Sequence, residues 1–146
     1  MRQGTALLMV LCCLCLTSCS KKQEEPRLAT AEEVTVLRKQ TGLPDDLWQQ
    51  MPMVWLRSDS TEAMLTARGD RVQELATLLR QNLPAKGWRG VTSKQVKDQY
   101  GNVTEVRASR PMDEALSIRM YCLRGPSTPP VTHLTIRLSR PRDGKK

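Results

Sequence analysis

The chain has 146 residues, with 23 Lys and Arg against 15 Asp and Glu, for a formal charge of +8. That length suits one domain. Phenylalanine is absent and aromatics reach only 3%, so the core must be built from Leu, Val, Ile, Met and three tryptophans. One histidine excludes a histidine-rich metal centre, and so few aromatics leave no stacking platform for nucleic acid.

The N-terminus carries four of the five cysteines, in "LCCLCLTSCS", residues 11–20. Arg2 is the only charge before Lys21, and residues 6–16, "ALLMVLCCLCL", are apolar throughout. As a helix this run would span roughly 16 Å. The hydrocarbon core of a bilayer is about 30 Å thick, so the run is too short to cross it. A positive start, a short apolar stretch and small residues after it describe a secretory signal. The end of that signal, Leu16-Thr17-Ser18-Cys19, resembles the lipobox of bacterial lipoproteins. The resemblance implies a diacylglycerol on the Cys19 sulfur and cleavage before it. Cys12, Cys13 and Cys15 lack a small residue before them and would leave with the signal. The exported chain then keeps one further thiol, Cys122, and no internal disulfide. Ser20 after the acylated cysteine implies, by the same resemblance, the outer membrane facing the periplasm.

Residues 19–29, polar around Pro26, read as a flexible tether. A single domain is expected over 30–146. "TAEE" offers Thr30 as N-cap and Glu33 as the reciprocal residue of a capping box. Gly42 is placed to end that helix. A second short helix is expected over 44–51, where Pro44 precedes two acids. Residues 54–57 and 61–68 read as strands. Residues 69–84 are the strongest helix, its body over 70–83: Val72, Leu75, Ala76, Leu79 and Leu83 share one face. Asp70 is expected to cap it and Pro84 to end it.

Beyond Gly87 the period changes from 3.6 to 2, and strands are expected near 88–96, 103–109, 115–124 and 131–140. Leu116, Ile118, Met120 and Cys122 alternate with Ser117, Arg119 and Tyr121. Leu134, Ile136 and Leu138 alternate with His133, Thr135 and Arg137. Such alternation marks a sheet with one covered and one wet face. The expected fold is α+β: a two-layer sandwich, its antiparallel meander sheet covered on one face by helix 70–83, with N-terminal helices. The "LPAKGW" segment followed by hairpins loosely resembles the helix-grip domains of some periplasmic lipoproteins, those of the barrel-assembly machinery among them.

Catalytic chemistry finds no support in this pattern. Cys122 and His133 fall on opposite faces of their strands, which forbids the hydrogen bond of a nucleophilic couple. They are also too few to ligate a metal, so no metal and no cofactor is expected. Paired acids occur only as sequence neighbours at helix starts and turns. The charge is unevenly placed: residues 101–146 carry nine bases against four acids. Arg107, Arg119 and Arg137 should share the wet face with Tyr121 and His133. Guanidinium forks suit carboxylates and phosphates. The expected partners are the membrane, through the N-terminal lipid, and an acidic envelope protein or anionic envelope surface. The function expected is that of a non-enzymatic binding or assembly module of the cell envelope. The alternative is an immunity or inhibitor lipoprotein that neutralises a periplasmic enzyme or toxin.

Overall fold

The computed structural model describes residues 25–49, 52–99 and 101–140. The signal segment, Cys19, most of the tether and the last six residues lie outside the described residues. The fold is mixed α+β and mostly sheet. Its elements in order are β1 (Arg27–Leu28), α1 (Ala31–Thr41), α2 (Asp45–Trp48), β2 (Met53–Leu56), β3 (Ser60–Arg68), α3 (Val72–Ala85), β4 (Arg89–Asp98), β5 (Gly101–Arg110), β6 (Glu114–Leu123) and β7 (Val131–Ser139).

Among the described residues seven strands form one antiparallel sheet in the order β1-β2-β3-β7-β6-β5-β4. The expected meander is β4 to β7. Its last strand then pairs along β3, from Ser60↔Ser139 to Arg68↔Val131. That seam joins the N-terminal strands to the meander. Arg27 and Leu28, assigned to the tether by the sequence, instead form β1 against Leu56 and Trp55. The Ala29 amide extends this edge by donating to the Val54 carbonyl, because β2 offers an unpaired edge that the chain passes on its way to α1.

The capping box at α1 forms as its residues require. The Thr30 hydroxyl accepts from the Glu33 amide, and the Thr30 amide donates to Glu33 Oε2 at 2.8 Å. Gly42 ends the helix in the left-handed region, φ 64°. The start of α3 departs from expectation. Its N-cap is Arg71, without a side-chain cap. Asp70 turns instead to the Arg124 guanidinium. The Arg71 amide donates to the Thr132 hydroxyl at 2.9 Å, and that hydroxyl donates to the Gly69 carbonyl at 2.7 Å. The buried Thr132 on β7 thus takes the place of a local cap. Pro84 lies inside the last turn of α3 rather than beyond it. Its ring replaces the amide that would have bonded to the Arg80 carbonyl, and the helix ends one residue later.

Alternation along the strands separates an apolar from a polar face. On the apolar face one row runs across four strands, Ala63↔Ile136↔Ile118↔Val106, and all four are fully buried. Leu75, Leu79 and Leu83 of α3 belong to the same buried cluster, and α3 touches β4, β5 and β6. No helix among the described residues is long and apolar enough to cross a membrane.

Candidate functional site

The polar face collects all five residues that the alternation singled out. Register fixes their neighbours. Arg107, Ser117, Arg137 and Glu62 stand in one row across β5, β6, β7 and β3. Glu105, Arg119, Thr135 and Met64 form the next row. Tyr121 lies opposite His133, and their rings stack with centroids 5.3 Å apart and planes 10° from parallel. Neighbouring strands lie about 4.8 Å apart and successive rows about 7 Å, so long side chains reach across them.

The guanidiniums are not free charges. Arg107 meets Glu105 at 3.1 Å, Arg119 meets Asp98 at 3.0 Å, and Arg137 meets Glu62 at 3.6 Å. The basic face that strand alternation suggested thus carries resident acids beside its arginines. The reason lies in strand parity and pairing. Asp98 ends β4 on the same side as Lys94, and the β3–β7 seam brings Glu62 beside Arg137. Neither acid announces itself in the sequence, because each needs a strand partner to be known. Glu105 is the most enclosed of these groups, 6% exposed. Lys94 at 3.8 Å and the Ser117 hydroxyl, donating at 3.4 Å, share it with Arg107. A carboxylate removed from water needs such partners to remain charged.

Arg107, Arg119 and Arg137 line one depression of about 670 Å³ with Glu62, Glu105 and Ser117. Arg119 Nε is closed off from solvent and has no acceptor among the described residues. The other guanidinium nitrogens lining the depression are charge-assisted donors, and an incoming carboxylate or phosphate would compete with the resident acids for them. Cys122 and His133 stay apart, as strand parity requires. Cys122 pairs with Thr132 and packs against the core, whereas His133 joins the polar face. Among the described residues no group of three or more His, Cys, Asp or Glu could hold a metal ion.

No family model matches the chain, and no curated protein or solved structure matches it either.

Proposed function

We propose that this chain is a lipid-anchored lipoprotein facing the periplasm, which acts in the cell envelope as a non-enzymatic binding module. The lipobox-like Leu16-Thr17-Ser18-Cys19 supports the anchor. Helix α3 is read as the cover over the apolar face, in a two-layer arrangement that leaves the polar face for docking. The observation that carries the binding role is the depression where Arg107, Arg119 and Arg137 converge. Its best-matched occupant is an acidic surface of an envelope protein. Carboxylates of the partner would exchange with Glu62, Asp98 and Glu105, so recognition would favour a partner whose acids match the spacing of the three guanidiniums.

Crosslinking in cells tests this reading. The wild type should capture a defined envelope protein, and Arg119→Glu with Arg137→Glu should lose it while far-UV circular dichroism still shows a folded domain. Equal capture by the charge-reversed protein overturns the docking face. The anchor is tested separately by labelling with a fatty-acid analogue. Wild type should label and Cys19→Ala should not; equal labelling of both overturns the anchor.

A further inference from the structure

A second cavity lies on the apolar side of the sheet, between α1 and the ends of β2, β3 and β7. It encloses about 680 Å³, within the range of about 300–1,000 Å³ common to small-molecule sites. Its floor is buried and mixes apolar with hydroxyl groups: Leu37 and Leu138 are 3% and 2% exposed, and Ser60 and Thr61 lie beside them. Leu56 and Val36 continue the wall toward solvent, and Val36 is 49% exposed at the lip. Gln40 also lines it, and its Oε1 is shut off from solvent and accepts no hydrogen bond among the described residues.

The rim is charged. Arg27 is occupied by Glu33 at 2.7 Å. Arg57 and Arg140, at the ends of β2 and β7, line the same cavity. Their guanidiniums have no ion-pair partner among the described residues. Glu25 is the one rim acid without an ion pair there. A trough with one apolar wall, and at its mouth two guanidiniums without an ion pair among the described residues, matches a molecule of the same design: an acyl chain ending in an anionic head. A buried amide acceptor in the wall adds a place for a hydroxyl donor.

We infer that this cavity binds one anionic glycerophospholipid, with one acyl chain along Val36, Leu37, Leu56 and Leu138, the other left in the bilayer, and the phosphate on Arg57 and Arg140. The source is the bilayer that holds the anchor, so the inference rests on the anchored reading above. Cys19 precedes Glu25 by six residues, a span of at most about 20 Å however the chain is arranged. The cavity mouth therefore stays within reach of the headgroups. The lipid would set which pole of the domain faces the membrane and leave the polar sheet face turned to partners.

The test uses the full chain incubated with phosphatidylcholine vesicles that contain a photoactivatable phosphatidylglycerol. After irradiation, peptides are mapped by mass spectrometry. Crosslinks should concentrate on the peptides that hold Val36, Leu56 and Leu138. Arg57→Ser with Arg140→Ser should reduce them about tenfold, as expected when a charge-assisted contact is lost. Glu25→Gln should raise them. Val36→Trp, at an exposed helix position, should block the trough without touching the rim and reduce them as well. Equal labelling by a photoactivatable phosphatidylcholine, or labelling unchanged in both the arginine and the tryptophan variants, overturns the inference. The mass of the N-terminal peptide in the same digest separates the two readings. A bare Cys19 with cavity labelling retained overturns the anchor alone; an acylated Cys19 without cavity labelling overturns the lipid site alone.

Discussion

Glu33 does three things at the start of α1. It closes the capping box with Thr30, favours the positive helix end, and holds Arg27 of β1 through both terminal guanidinium nitrogens, at 3.1 and 2.7 Å. These bonds, the one from Arg27 first and the Thr30 amide second, lower its carboxyl from an ordinary 4.5 to about 2. A carboxyl lowered by folding stabilises the protein fully above its unfolded value and ceases to do so as pH falls through its folded value. Glu33→Gln should therefore be less stable than wild type above about pH 5, and the two should converge between pH 4.5 and 2. Denaturant midpoints across that range check this; a difference that stays constant down to pH 2 contradicts it. Glu74 is lowered in the same direction by Arg71, which also holds Asp46 at 2.7 Å. The capping residues Thr30 and Glu33 are legible in the sequence because the motif is local. The Arg27 partner is not, since Arg27 becomes fixed only when it joins the sheet.

At the scale of elements, helix ends show how much neighbours in space matter. Gly42 closes α1 with a positive φ, and a Cβ there would lie 3.2 Å from Asn82 Cβ on α3. Asn82 also donates to the Gly42 carbonyl at 3.2 Å. Gly42→Ala should thus combine backbone strain with a crowded α1–α3 contact, and cost about 1 kcal/mol or more. Urea unfolding measures it, and a neutral or stabilising outcome would mean that the cap relaxes freely. Gly42 is readable as a stop because glycine after an amphipathic run has one common use. The start of α3 is not readable in that way. Asp70 is a sound cap by type, but Thr132, some sixty residues along the chain, reaches the Arg71 amide first. The apolar stripe from Val72 to Leu83 was visible all the same, because helical periodicity depends only on sequence spacing.

At the scale of the whole molecule, the β3–β7 seam decides whether there is one folding unit or two. It is a nine-residue strand pairing between segments far apart in the chain. Ile136 stands at its centre, fully buried between Ala63 and Ile118. Ile136→Ala should cost about 2–5 kcal/mol, a large part of the stability of a domain this size. Because the seam is shared, tryptophan fluorescence, which reports on Trp48, Trp55 and Trp88, should shift together with far-UV circular dichroism. Two separated transitions would show that the N-terminal strands and the meander fold independently. The same seam places Glu62 against Arg137 and so sets the charge balance of the candidate docking face.

The sequence by itself determined the features that depend on residues close in the chain: the capping box at Thr30, the stop at Gly42, the apolar stripe of α3, and the face on which each of Arg107, Arg119, Tyr121, His133 and Arg137 would stand. Side-chain period and local backbone sterics are enough for these. Only the tertiary structure decided which strands meet, that β1 joins the sheet, that Arg107, Arg119 and Arg137 each meet a carboxylate, and that a trough opens beside α1. Those outcomes require segments distant in sequence to be brought together, and a linear pattern holds no record of which pairing buries the most apolar surface.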